Sequence, residues 1–156
     1  MEVPNYQEVI LDTSPLLQIL VGLYNPKKLD KVGATEENFG LLLTYVQQFR
    51  DRLITPHILA EMSNLAKKRL KNDFAEFMKF TAKFLHDINE QQIKKDDIIE
   101  SDNIKQLMDF GITDTAIALA STKKRLIVTA DNPFFQYCYN NKIPALHTEA
   151  IFSKAV

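Results

Sequence analysis

Asp12, Glu61, Asp114 and Asp131 are the residues whose types and settings could do chemistry. Asp131 follows Leu126-Ile127-Val128, an apolar β-branched run that reads as a buried strand. Asn132-Pro133 comes next; Asn is a preferred N-cap and Pro suits the first helical position, so the spacing predicts a helix opening there. Asp12 has the same setting, with Val9-Ile10-Leu11 before it, Thr13 after it, and Ser14-Pro15 as cap and first helical residue. Ligands of open α/β sheets bind outside the carboxyl ends of the strands. Two aspartates at such ends, far apart in sequence, can therefore meet at one site. Glu61 stands between Ile58 and Leu65 at helical spacing, bordering an apolar stripe near the same end of the sheet. An acid directed inward there is costly unless it is paired or bound to a cation. Asp114 falls at the start of a helix, where a negative charge suits the dipole, and Asp12 and Asp131 also have a plain reading as capping or turn residues.

Gathered to about 4 Å, such carboxylates repel by roughly 4 kcal/mol per pair at an effective dielectric near 20. A divalent cation removes that repulsion, and a donor set made only of oxygen selects magnesium or manganese over zinc. Histidine has no necessary part: His57, His86 and His147 read as ordinary helix and terminal residues.

The elements that must position these acids follow from local patterning. Pro15 to Leu23 forms a first helix with little polar surface, and Tyr24 to Ala34, with Asn25-Pro26 and Gly33, reads as a surface loop. Thr35 caps a helix whose stripe is Phe39, Leu42, Leu43 and Val46. Leu53-Ile54 is a brief strand, and Thr55-Pro56 opens a helix running to about Leu70. Asp73 and Glu76 form a capping box for a helix with Phe74, Phe77, Met78, Thr81, Leu85 and Ile88 inward. Asn89 to Asp97 reads as an exposed connection, Ile98-Ile99 as a strand, and Ser101 as the cap of a helix ending at Gly111. Thr113 caps the next helix, with Ile112 and Ile117 as a hydrophobic staple. Ile143 to Leu146 is a last strand and Glu149 to Ala155 a final helical segment. Strands alternating with helices indicate an α/β fold with a parallel sheet covered on both faces.

The 156 residues suit one domain spanning 1–156, and 19 basic against 20 acidic residues exclude strong whole-molecule steering toward nucleic acid. Setting the four acids aside leaves a mildly basic body. Lys67–Lys71 and Lys123-Lys124-Arg125 read as solvated faces, with contact to a phosphate backbone as a second reading. A single cysteine, Cys138, rules out an internal disulfide and a multi-thiolate zinc site. Residues 1–8 carry no signal pattern and no apolar run reaches spanning length, so a cytoplasmic protein without a membrane segment is expected.

The residues Ile10-Leu11-Asp12-Thr13, Ile58-Leu59-Ala60-Glu61, Gly111-Ile112-Thr113-Asp114-Thr115-Ala116 and Thr129-Ala130-Asp131, in this order, resemble the PIN-domain family of metal-dependent nucleases over nearly the whole chain. The resemblance implies a three-layer α/β/α fold around a parallel sheet of about five strands, in the order 3-2-1-4-5. It implies that Asp12, Glu61, Asp114 and Asp131 are catalytic and bind one or two magnesium or manganese ions. Thr13 and Thr129 match positions where the family often has a hydroxyl that orients a carboxylate, water or phosphate; Asn132 and Asn64 are auxiliary candidates. The implied activity is hydrolysis of phosphodiester bonds in single-stranded or structured RNA. Implied partners are the RNA substrate, an antitoxin protein if the chain is the toxin of a pair, and a second copy in a homodimer. The length exceeds that of compact toxin members, with the excess in residues 24–50 and 72–100. A non-catalytic module binding RNA or protein, and a structure-specific DNA nuclease, are the alternatives. A receiver-like signalling domain would need a strand-end lysine near the last acid, and none stands there.

Overall fold

The computed structural model describes residues 5–86, 89–90, 104–121 and 124–154. Its centre is the apolar run Val9-Ile10-Leu11, buried on both sides within strand β1 (Glu8–Leu11). A strand without a polar face needs neighbours at both edges and cover on both faces, the usual condition of parallel sheets. β1 pairs in parallel with β2 (Asp51–Ile54) on one edge and with β3 (Arg125–Thr129) on the other. β4 (Ala145–His147) lies in parallel beyond β3, giving four strands in the order β2-β1-β3-β4. Outside β2, Asn89–Glu90 pair in parallel with Leu53 and Ile54. The α/β architecture with a parallel sheet, expected from the alternation of patterns, is what the chain forms.

Seven helices occur among the described residues: α1 (Thr13–Tyr24), α2 (Glu36–Val46), α3 (Pro56–Leu70), α4 (Phe74–Leu85), α5 (Ile104–Ala120), α6 (Asn132–Asn140) and α7 (Thr148–Phe152). The arrangement is compatible with three layers. α1 packs against α2, α3 and α4, which is why nearly every side chain in its first ten positions is buried. α3 touches α1 and α5, and α6 touches α5 and β4. The core gathers β1, β3, α1 and one face each of α2, α3 and α6, with Leu42, Ile58, Met62, Phe77, Ile117 and Phe134 fully enclosed.

Several local expectations hold in detail. Thr35 Oγ1 accepts the Asn38 N–H at 3.1 Å and Thr55 Oγ1 accepts the Ile58 N–H at 3.2 Å, so both threonines cap their helices. Gly111, with φ +81, breaks α5 where the sequence places a helix end.

Others are corrected. Residues 26–32 are not a loop but a 3-10 segment, Pro26–Val32, capped by Asn25 and closed by Gly33 at φ +71. It forms because Leu29 has a core pocket to fill and is 1 % exposed. Asp73 makes no capping bond; its carboxylate is taken instead by Lys28 at 3.1 Å and Lys31 at 2.9 Å. Arg125 is no solvated residue. It donates to Glu8 Oε2 at 2.6 Å and to the Ala120 carbonyl at 2.8 Å, clamping β1, β3 and the end of α5. The last strand starts at Ala145 rather than Ile143, and α7 begins at Thr148 under a His147 cap. Ile88, the expected strand Ile98-Ile99 and the Ser101 cap lie outside the described residues.

Gly22, inside α1, lies directly against Phe39 of α2. A Cβ built there would run into the Phe39 ring, including its Cγ, far inside van der Waals contact. Alanine normally strengthens a helix relative to glycine. Here overpacking wins, so Gly22→Ala should lower unfolding stability by about 1–3 kcal/mol, and adding Phe39→Ala should recover part of the loss. Urea denaturation of both variants checks this; a stabilised Gly22→Ala would contradict the packing.

Candidate functional site

The order β2-β1-β3-β4 makes the β1–β3 boundary a switch point: the chain builds outward to β2 on one side, then returns to lay β3 on the other. The loops leaving the carboxyl ends of two such strands diverge and leave a crevice. In register Leu11 lies opposite Val128, and the Asp12 N–H extends the ladder by donating to the Val128 carbonyl at 3.0 Å. This brings Asp12 beside Thr129, although 117 positions separate them.

The contact that results is specific. Thr129 Oγ1 donates to Asp12 Oδ2 at 2.7 Å and accepts the Asp131 N–H at 3.0 Å. Thr129 is fully buried and Asp12 is 7 % exposed. One hydroxyl thus holds one acid by its side chain and the other by its backbone.

Both acids are themselves helix caps, which corrects the predicted helix starts. α1 begins at Thr13, with Asp12 Oδ1 accepting the Thr13 N–H at 2.7 Å; Ser14 is inside the helix. α6 begins at Asn132, with Asp131 Oδ1 accepting the Phe134 N–H at 2.8 Å; Asn132 is not the cap. Asn, Ser and Asp rank alike as caps, and here the aspartates take the role because Thr129 holds both of them at the strand ends. The capping reading of these aspartates is correct, and it serves to aim them.

The four acids line a single open cleft of about 460 Å³, together with Thr13, Ser14, Leu65, Gly111, Ile112, Thr113 and Ala130. Glu61 reaches it from α3 and Asp114 from the second half of α5. Glu61 borders the buried stripe of α3, as its spacing suggests, and is exposed along the cleft wall. The face carrying Ile58, Met62 and Ala66 is buried, and Glu61 falls just outside it. Asn64 and Asn132 are exposed and do not line the cleft. Ile112 and Thr113 also line the site, whereas the sequence pattern assigned them only structural parts as staple and cap. Gly111 at φ +81 turns Ile112 outward, 53 % exposed on the cleft rim, instead of into a staple over Ile117. An apolar residue directly after a glycine break, as in Gly111-Ile112-Thr113-Asp114, was the available signal.

The electrostatics show how closely the acids feel one another. Burial, then the charges of Asp12, Asp131 and Glu61, push the Asp114 carboxyl up to about 8. Burial raises Asp12 as well, with Glu61 and Asp131 adding to it, while the hydrogen bonds from Thr129 and Thr13 act in the opposite direction. Cys138, wholly buried on α6, is pushed up to about 12 by burial and by Asp114 and Asp12, so its thiol is inert beneath the site.

Among the described residues, no three acidic, histidine or cysteine side chains stand in ready-made ligating geometry. Mutual repulsion and the capping bonds of Asp12 and Asp131 both favour keeping the carboxylates apart. The donor set is nonetheless all hard oxygen, and these four acids are the residues able to hold a divalent cation. Thr13 adds an unsatisfied hydroxyl beside these acids. The residue lines the cleft and is 4 % exposed, and its enclosed hydroxyl has no hydrogen-bond partner among the described residues. A buried polar atom left unpaired is costly, and an ordered water is the simplest partner for it. His147 is structural: one ring nitrogen meets the Ala130 carbonyl at 3.1 Å and the other accepts the Glu149 N–H.

No family model matches the sequence, and no curated protein matches it.

The Asp114 proton has a measurable consequence. Its folded value, about 8, lies above the ordinary 3.8, so the folded state holds this proton more tightly than the unfolded chain does. The stabilisation is complete below the unfolded value and is lost as pH rises through the folded one. In chelator, the melting temperature should fall between about pH 5 and pH 8, and Asp114→Asn should flatten that fall. The variant should be the more stable protein at the alkaline end. Identical pH profiles for the two proteins would show that Asp114 does not feel the other acids.

Proposed function

We propose that the chain is a magnesium- or manganese-dependent ribonuclease of the PIN type. The observation that carries this reading is the Thr129 hydroxyl joining Asp12 and Asp131 at the sheet's switch point, on the wall of a cleft that Glu61 and Asp114 also line. Packing alone does not call for four acids around one opening, and the raised Asp114 and Asp12 carboxyls mark a site short of positive charge. The pairing of Asn89–Glu90 outside β2 supports a fifth strand, and with it the family's five-stranded order.

Asp12 and Asp131 would be the principal ligands, with Glu61 and Asp114 completing the oxygen shell. A bound divalent cation supplies acidity to its water and charge to the leaving oxygen of a phosphodiester. Thr129 keeps the Asp12 carboxylate in one orientation, so no reorganisation is needed when substrate arrives. Thr13 lines the cleft beside Asp12, and a turn of its side chain would bring its unpaired hydroxyl to a phosphate oxygen or a water. Ile112 and Leu65 give the cleft apolar rim surface against which a sugar or base edge can rest. No helix among the described residues is long and apolar enough to cross a membrane.

The test is cleavage of single-stranded RNA by partner-free protein with manganese, since an antitoxin seated over the cleft would silence the enzyme. Chelator should stop the reaction. Asp12→Asn should lower the rate by on the order of 100-fold or more, because it replaces an anionic oxygen ligand of the cation with a neutral amide. Asp131→Asn should also lose activity while keeping α6 intact, since Asn caps a helix as well as Asp does. Cleavage of flapped or single-stranded DNA alone would reassign the substrate. If neither nucleic acid is cut and manganese leaves the melting temperature unmoved, the chain is not a metal-dependent nuclease.

A further inference from the structure

The acidic cleft does not end at its acids. Ser14 and Leu65 line it, and they also line a narrower hollow of about 170 Å³ bounded by Leu17, Val32, Gly33 and Arg69. Arg69 in turn opens onto a broader hollow of about 540 Å³ lined by Lys31, Lys68, Arg69 and Lys71. Glu61, Leu65 and Arg69 are spaced four apart, so they form one stripe along α3. That stripe runs from the acids to the cationic end over eight residues, about 12 Å at 1.5 Å per residue. The opposite wall is the 3-10 segment Pro26–Val32, which packs on α3.

We propose that single-stranded nucleic acid leaves the cleft along this stripe, its phosphates held at the far end by Lys31, Lys68, Arg69 and Lys71. The identity of the cleft itself rests on the nuclease reading. Charge is the first argument. Lys68, Arg69 and Lys71 are exposed and none has an acidic partner among the described residues. Lys31 shares the single carboxylate of Asp73 with Lys28, and Asp30 lies near it, so the hollow keeps a net positive charge. Helix-dipole compensation accounts for a cation or two at the end of α3, but not for Lys31, which comes from a different element. Continuity is the second argument: shared lining residues lead from the acids to the bases without a break. Size is the third. The hollow between the two ends, about 170 Å³, is on the scale of a single sugar-phosphate backbone. The path covers roughly two to four nucleotides, taking 3.4 Å per stacked nucleotide as the lower limit of spacing. Lys71 itself sits at φ +49, ψ −109, a positive-φ conformation that side-chain-bearing residues rarely adopt, so a lysine is held there against backbone strain.

The experiment is fluorescence anisotropy of labelled oligouridylates of increasing length, in chelator so that nothing is cut, across a salt series. Affinity should rise with length until the strand spans the path. Lys68→Ala/Arg69→Ala/Lys71→Ala should weaken binding at least about 10-fold at low salt and reduce the salt slope by about 2, the loss of three phosphate contacts on a single strand. The charge-matched control Lys79→Ala/Lys83→Ala/Lys154→Ala should bind as the parent does. Equal slopes for the two triple variants, or no binding by the parent, would overturn the path. So would an oligoglutamate peptide that binds the basic hollow more tightly than the oligonucleotide, which would make it a protein-docking surface. The two readings fail separately. Strand binding with the expected slopes but no cleavage in manganese removes the nuclease and keeps the path; cleavage with unchanged slopes does the reverse.

Discussion

The hydrogen bond between Thr129 and Asp12 is the contact on which the rest of the site depends. It exists only because β1 and β3 are adjacent and in a register that sets Leu11 opposite Val128. A bond from a buried hydroxyl to a carboxylate contributes about 1.5–3 kcal/mol, and leaving the carboxylate without it would cost a comparable amount. The same oxygen receives the Asp131 N–H, so the strand pairing and the position of both acids are one mechanical unit. The Arg125–Glu8 pair at the opposite end of the same two strands anchors that unit from below.

Capping and chemistry are usually treated as competing explanations for an acid after a strand. Here they act together. Asp12 and Asp131 each spend one oxygen on a helix N-terminus, which fixes the χ angles and points the other oxygen along a defined direction. Asp12 spends the second on Thr129, whereas Asp131 stays exposed in the cleft. Asp114 differs again: half-buried and surrounded by the other three, it holds its proton far above the ordinary range. Three aspartates of the same type therefore occupy three electrostatic situations, set by how much water and how many donors each one meets.

The near-neutral overall charge conceals a division along α3. Its middle presents Glu61 to the acidic cleft, and its last turn presents Lys68 and Arg69 to a basic hollow. A molecule with balanced totals can still offer an anion two contrasting environments about two helical turns apart, because fields at a surface follow local rather than net charge. The 3-10 segment, which fills its own core position with Leu29, supplies the opposing wall and a lysine to the basic end.

Much of this was legible in the chain order of residue types. Parallel strands were readable because their apolar runs carry no polar alternation, and the Thr35 and Thr55 caps because each stands directly before its helix. That Asp12, Glu61, Asp114 and Asp131 share one opening was also foreseeable, since each follows a strand end or lies near a helix start at the same edge of the sheet. The side on which Glu61 falls was not: a residue bordering a stripe can face either way, and only the packing of α3 on α1 and α5 turns it outward. The helix starts shifted because local propensity ranks Asn, Ser and Asp alike as caps, whereas the three-dimensional site holds the aspartates in place by Thr129. The roles of Arg125 and Asp73 depend on partners 117 and 42 positions away. Short-range pattern determined which elements form and where their acids fall; long-range pairing decided which oxygens face one another, because hydrogen-bond geometry is set by strand register and not by spacing along the chain.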